Sequence, residues 1–237
     1  MRTFGLIGKE LGHSYSQQYF QKKFLKEGLV TSQYLNFEMD DLNRLRELIK
    51  EYSLKGLNVT IPYKEEIISF LDKISKEARA VGAVNTIEIK NRKLIGHNTD
   101  IFGFEKSFLQ ISKKRKKAIV LGNGGASKAV QYVFRKNNID YLVANRYSNF
   151  TIEKIDKDIL EEYNIIVNAT PLGMYPENSS FPNLPYDLID SKHLLFDLVY
   201  NPDESLFLAK GKANGSEIKN GKEMLHLQAE ESWRIWN

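Results

Sequence analysis

Lys117-Ala118-Ile119-Val120-Leu121-Gly122-Asn123-Gly124-Gly125-Ala126-Ser127 reads as a buried strand that ends in a glycine turn and opens a helix. Glycines there permit a tight turn and a close approach of backbone N–H groups to a pyrophosphate, while the helix N-terminus supplies positive potential. Gly122, Asn123, Gly124, Gly125 and Ala126 are therefore candidate cofactor contacts, with Ser127 standing where a standard dinucleotide fingerprint has its third glycine. The following strand, expected at 141–144, discriminates between cofactors. An NAD site usually ends it with a carboxylate for the ribose 2′-hydroxyl, whereas this chain has Asn145-Arg146-Tyr147. A planar guanidinium suits the 2′-phosphate of NADP, and a charged hydrogen bond of about 1.5–3 kcal/mol is a ten- to hundredfold preference.

Outward from that loop, helix-like and strand-like stretches alternate. Downstream lie a helix at 126–136, strands at 165–169 and 193–199, and a last helix at about 222–236. Upstream, strands are expected at 2–8, 33–37 and 56–61, helices at 16–27 and 40–52, and a hairpin turning at Asn91-Arg92. Such alternation argues for mostly parallel sheets with crossover helices. The rhythm breaks near residue 100, so two α/β domains are expected, with a cleft between them.

Composition narrows the chemistry. The 237 residues are 42% hydrophobic and 27% charged, the balance of a folded domain rather than a disordered chain. Cysteine is absent, which excludes thiol nucleophiles, disulfides and thiolate zinc sites. His13, His97, His193 and His226 show no metal-ligand spacing, so no metal is expected. Neither a signal peptide nor a spanning segment is evident, and a cytoplasmic protein without membrane contact is expected. The basic run 113–117 reads as a solvated turn before a strand rather than a nucleic-acid patch.

The first half carries a polar constellation at its expected strand ends. In Asn58-Val59-Thr60-Ile61-Pro62-Tyr63-Lys64 the strand ends near Thr60, and Pro62 is expected to start a helix with Lys64 in its first turn. A cation at that pole is unfavourable by about 0.3–1 kcal/mol, which makes sense where the ammonium serves a ligand. A solvated lysine is the plainer alternative. Asp100, in Asn98-Thr99-Asp100, falls at the domain junction and is either a catalytic carboxylate or a helix cap. Ser14 and Ser16 follow the first strand and can bind a carboxylate or polyol, or cap the next helix.

Together these strings resemble the shikimate dehydrogenase family almost end to end. Gly12-His13-Ser14-Tyr15-Ser16, the Asn58–Lys64 string, Gly82-Ala83-Val84-Asn85-Thr86 and Asn98-Thr99-Asp100 come first, then the glycine loop and Asn145-Arg146. Asn168-Ala169-Thr170-Pro171-Leu172-Gly173-Met174, Asp197-Leu198-Val199-Tyr200-Asn201-Pro202 and Gly221 through Met224, Leu225 and Gln228 complete the order. The resemblance implies NADPH-dependent reduction of 3-dehydroshikimate to shikimate, in the route to aromatic amino acids. It assigns 1–99 plus 222–237 to substrate and 100–221 to a Rossmann-like NADP domain. It further implies Ser14, Ser16, Thr60, Asn85, Asp100, Tyr200 and Gln228 as substrate ligands, with Lys64 and Asp100 catalytic. Asn145, Arg146, Tyr147, Thr170, Gly221 and Met224 join the glycine loop around NADP, and the protein is expected as a monomer or homodimer.

The chain departs from the family pattern at Gln17, Tyr19, Ile101, Tyr147 and Asn149. The first two suggest altered packing of the first helix, the last two a weakened phosphate clamp without an NAD-type acid. The rivals are a quinate/shikimate dehydrogenase of broader use and a catalytically silent NADP- or shikimate-binding regulator.

Overall fold

A computed structural model describes residues 1–12, 14–112 and 114–237; His13 and Lys113, named above, lie outside the described residues. The chain divides into two compact units, residues 1–99 with 229–237, and residues 100–228.

The first unit contains β1 (Arg2–Gly8), α1 (Tyr15–Lys26), β2 (Ser32–Glu38), α2 (Leu45–Glu51), β3 (Leu54–Val59), β4 (Lys73–Ile74), α3 (Lys76–Val81), β5 (Thr86–Lys90) and β6 (Lys93–His97). Its sheet runs β2-β1-β3-β5-β6-β4. The β2, β1 and β3 pairings are parallel, β5 lies antiparallel to both β3 and β6, and β4 is parallel to β6. Chain order reverses between β1 and β3, a switch point of the kind where open α/β sheets bind ligands beyond the strands' carboxyl ends. The β5–β6 turn is the expected hairpin: Asn91 and Arg92 have φ of 52° and 61°, the left-handed pair a two-residue hairpin requires.

One face of this sheet is covered by Leu42, Leu45, Leu57, Ile67 and Ile87, the apolar stripe of α2 included. On the other, Phe4, Phe20, Tyr34 and Trp236 form an aromatic cluster, with Phe20 stacked on Tyr34 at 4.5 Å between ring centroids. Trp236 closes it by donating from Nε1 to the Ile87 carbonyl at 3.0 Å. Gln17 and Tyr19 are absorbed by packing, through the Tyr34 carbonyl and Glu230.

The second unit holds α4 (Asp100–Leu109), β7 (Lys117–Leu121), α5 (Gly125–Lys136), β8 (Asp140–Ala144), α6 (Lys157–Glu162), β9 (Ile165–Asn168), β10 (Leu194–Asp197), α7 (Leu206–Ala213), β11 (Glu217–Lys219) and the first two turns of α8 (Lys222–Trp236), the rest of which belongs to the first unit. All its strands are parallel, in the order β11-β10-β9-β7-β8, with the switch between β7 and β9. Its core strands are apolar except at Lys117, which opens β7, and at Asn168 and Asp197, which end β9 and β10, as suits parallel strands covered on both faces.

Three expectations need correcting. The helix foreseen at 40–52 begins only at Leu45, because Asp41 accepts from the Asn43 N–H at 2.8 Å in a local turn. No helix starts at Pro62: residues 61–65 are turn and a 3₁₀ helix covers Glu66–Phe70. The Lys64 carbonyl is taken by the Val84 N–H at 2.7 Å, so it is spent on a long-range bond instead of a helical one. Finally, the division of the last helix falls after Gln228 rather than before Lys222. A Cβ on Gly103 of α4 would stand 2.5 Å from the Met224 carbonyl oxygen, so the missing side chain lets the first turns of α8 pack closely on α4.

Two cations of the basic run have partners. Arg115 pairs with Glu217 at 3.0 Å and donates to the Lys192 carbonyl, and Lys117 pairs with Glu162.

Candidate active site

In the first unit the candidates gather around the β1/β3 switch. The chain leaving β1 delivers Ser14 immediately before α1 and Ser16 in its first turn. The Ser14 side chain makes no cap bond to the helix, so the capping alternative raised from sequence fails there. Ser16 hydrogen-bonds the buried Tyr34 hydroxyl. Beyond β3, Thr60 donates its N–H to the Ile7 carbonyl at 2.9 Å and accepts from the Tyr63 N–H, fixing the turn that carries Lys64. A Cβ on Gly8 would lie 2.6 Å from Thr60 Cγ2, which shows how closely the two strand ends approach.

Asn85 is buried beside them. Its N–H donates to the His97 carbonyl and its carbonyl accepts from Val59, while Oδ1 accepts from the Thr99 N–H at 2.7 Å. The structure thus brings Ser14, Ser16, Thr60, Lys64 and Asn85 to one end of one sheet. Lys64 lies in a turn and not at the expected helix pole, and its place beyond β3 is what singles it out.

Asp100, Tyr200 and Gln228 belong to the second unit. Asp100 is buried at the first turn of α4, and Gln228 lies on the α8 stretch that packs against Gly103.

The glycine loop sits at the β7/β9 switch. Gly122 has φ +98° and donates its N–H to the Ala144 carbonyl, and a Cβ there would meet Thr170 and Ala169 at 3.0–3.1 Å. Both backbone angle and crowding demand glycine. Asn123 and Gly124 are exposed, and a Cβ built on Gly124 meets nothing within 4 Å. The open space lies at the N-terminus of α5, a 12-residue helix with no acidic residue in its first turn. Ser127 turns inward and donates from Oγ to the Gly122 carbonyl at 2.7 Å, so it ties the turn where a third glycine would only have fitted it.

Asn145 organises the loop after β8. Its Oδ1 accepts from the Tyr147 N–H at 3.0 Å, leaving Arg146 exposed with its guanidinium 5.4 Å from the Tyr147 ring centroid. Thr170, across the switch, is held by Asn168, whose Oδ1 accepts from both its N–H (3.1 Å) and its hydroxyl (2.6 Å). Asn168 in turn donates from Nδ2 to Asp197 Oδ1 at 3.0 Å. Asp197 is wholly buried and accepts also from the Val199 N–H and the Ser205 hydroxyl. Burial pushes its carboxyl up to about 6 against the opposing pull of those hydrogen bonds. Gly221 lies where a Cβ would stand 2.2 Å from the Leu198 carbonyl oxygen, and Met224 is buried.

The residues that support these ones are silent in the sequence. Asn58, Asn168 and Asp197 stood inside quoted strings but had no chemistry of their own; Tyr34 and Ser232 carried no signal, since nothing local distinguishes them from packing positions. Among the described residues no three His, Asp or Glu side chains gather as a metal site, and no helix is long and apolar enough to cross a membrane.

The family model for the shikimate dehydrogenase substrate binding domain matches residues 6–87. A shikimate dehydrogenase (NADP(+)) of Clostridium beijerinckii is 38% identical over 250 residues, covering 100% of this chain and 92% of the relative. A shikimate 5-dehydrogenase of Thermus thermophilus, solved with NADP(H) and shikimate, superposes with a TM-score of 0.87 at 31% identity, covering 100% of this chain and 94% of its own. A quinate dehydrogenase of Corynebacterium glutamicum, solved with NAD, reaches 0.89 at 26% identity over 100% and 93%. Identity of this order along the whole chain means that the chain belongs to the shikimate dehydrogenase family.

Proposed function

We propose that this chain reduces 3-dehydroshikimate to shikimate with NADPH, reversibly, the first unit carrying most of the substrate ligands and the second those of the cofactor. The carrying observation is the double switch point. Hydroxyl, amide and ammonium groups flank β1/β3 in one unit, and a glycine loop faces Thr170 across β7/β9 in the other.

The second unit's residues fit a dinucleotide phosphate. The space at Gly124, the acid-free first turn of α5 and the exposed Arg146 offer N–H donors, helix potential and a cation to an anion. Gly122, Asn123, Gly124, Gly125 and Ala126 would cradle the pyrophosphate. Asn145, Arg146 and Tyr147 would meet the 2′-phosphate, with Thr170, Gly221 and Met224 toward the nicotinamide. When bound, NADPH supplies the hydride that the C3 carbonyl carbon receives. Lys64 donates the proton to the C3 oxygen, while Asp100 orients it and accepts from the neighbouring hydroxyl. Ser14 and Ser16 hold the carboxylate, and Thr60, Asn85, Tyr200 and Gln228 complete the substrate shell. We place this activity in the cytoplasm, in keeping with a chain free of cysteine.

Initial rates with shikimate and quinate, each with NADP and NAD, test the reading: shikimate with NADP is expected to dominate. Equal or higher rates with quinate and NAD would overturn it in favour of the broader enzyme, and tight binding without turnover would favour a regulator. Arg146→Ala is expected to weaken NADP by about ten- to hundredfold and to leave NAD within about twofold. Unchanged NADP affinity would remove Arg146 from the site.

A further inference from the structure

A closed chain of hydrogen bonds runs beneath the first unit's candidate residues, and its direction can be worked out. Asn58 Nδ2 donates to the Asn85 carbonyl at 3.2 Å, an oxygen that can only accept, so the orientation of the Asn58 amide is fixed. The same Nδ2 lies 2.9 Å from Ser232 Oγ and 3.1 Å from Thr86 Oγ1. The hydroxyls of Thr86, Thr99 and Ser232, all buried, form a triangle with sides of 2.8, 3.1 and 3.3 Å. Asn85 Oδ1 collects from this triangle, accepting from Thr99 Oγ1 at 3.2 Å and Thr86 Oγ1 at 3.3 Å besides the Thr99 N–H.

Each hydroxyl has one proton to give, so the direction runs from the Asn58 amide through Ser232 to Thr86 or Thr99, and from those two threonines to Asn85 Oδ1. That commits the oxygen of the Asn85 carboxamide to the protein and makes Nδ2 the end that meets a ligand oxygen. In the other direction, Asn58 Oδ1 accepts from the Tyr34 hydroxyl at 2.7 Å. Burial holds that hydroxyl well above the usual tyrosine range, so it stays a donor. Its single proton being spent on Asn58, the Ser16 contact is one in which Ser16 donates to Tyr34.

We propose that Ser232, near the end of the chain, is a positioning residue for Asn85, and that Asn58 and Tyr34 extend the same network to Ser16. The last helix thereby sets the hydrogen-bonding polarity of two substrate ligands through three buried hydroxyls. The proposal rests on the reading of Asn85 and Ser16 as ligands of a hydroxylated carboxylic acid. It explains why a serine lies on the α8 face that is otherwise apolar at Ala229 and Trp236. For Ser16 to serve a carboxylate, its proton must turn from Tyr34 to the ligand, so Tyr34 sets the starting orientation.

Double-mutant cycles on the full-length enzyme test this. Ser232→Ala is expected to raise KM for shikimate about five- to tenfold, with KM for NADP within about twofold. In an Asn85→Ala background the same change should have less than about twofold effect. An unchanged shikimate KM, a parallel rise for NADP, or equal losses in both backgrounds would each overturn the proposal. Tyr34→Phe with Ser16→Ala forms a second cycle from the other end, which decides the matter if Ser232→Ala does not fold; additive effects there would overturn the proposal. Wild-type turnover of shikimate with NADP reports on the substrate assignment by itself: its absence refutes that assignment, whereas a working wild type with additive variants refutes only the network.

Discussion

Lys64→Ala is expected to lower kcat for shikimate oxidation by about 10²–10⁴-fold while NADP affinity stays within about twofold. The size follows from removing the group that exchanges a proton with the C3 oxygen in step with hydride transfer. The selectivity follows from the fold. Lys64 belongs to the first unit, and its turn is fixed by backbone bonds that survive truncation: Tyr63 to Thr60, Ile67 to Tyr63, and Val84 to the Lys64 carbonyl at 2.7 Å. The neighbouring Tyr63 hydroxyl anchors the same turn to the Met39 carbonyl. The half-buried side chain contributes little to the core, so the variant should keep its melting temperature. Steady-state kinetics beside NADP titration check this. A loss shared equally between kcat and NADP binding would assign Lys64 to structure instead.

Lys64 shows what a sequence can carry and what it cannot. The string around it was legible because a strand end followed by hydroxyl, proline and lysine is a local pattern. The turn that replaces a helix start there was not legible, because the carbonyl of Lys64 is claimed by Val84 from the far side of α3. Long-range backbone bonds of this kind leave no periodicity. The glycine loop fared better, since a positive φ at Gly122 and the packing of Thr170 against it are both demands that only glycine meets. The Asn91-Arg92 hairpin was legible for a similar reason.

The short elements escaped notice: β4 with two residues, β11 with three and α6 with six are too short to show a period. The supporting polar residues escaped for a different reason. Asn58, Ser232 and Tyr34 meet across intervals of up to 174 residues, and only the folded sheet and the returning last helix bring them together.

Asp197 gives the other large expected effect, and its sign follows from burial. The carboxyl titrates at about 6 in the folded protein against an ordinary 3.8. Between those values the folded chain binds the proton more tightly than the unfolded one. The stability that this proton contributes is fully present below about pH 4 and is lost as pH rises through about 6, a swing of about 3 kcal/mol. Asp197→Asn removes the charge yet keeps an oxygen for Asn168 and Val199 and an amide for the Ser205 hydroxyl. Its stability relative to wild type should therefore rise by about 3 kcal/mol from pH 4 to pH 8, or about 6–12 °C in melting temperature. Other titrating groups cancel in that difference. Asp197→Ala instead strands three buried donors, at about 1–3 kcal/mol each, and is expected to be the least stable of the three proteins at pH 4. It also frees Asn168, which holds Thr170 against Gly122, so KM for NADP should rise while KM for shikimate changes little. Thermal melts of the three proteins at pH 4 and pH 8 decide the electrostatic claim. A constant Asn-to-Asp difference would mean that water or a neighbouring group relieves the buried charge, and the link from β10 to the cofactor loop would then rest on hydrogen bonds alone.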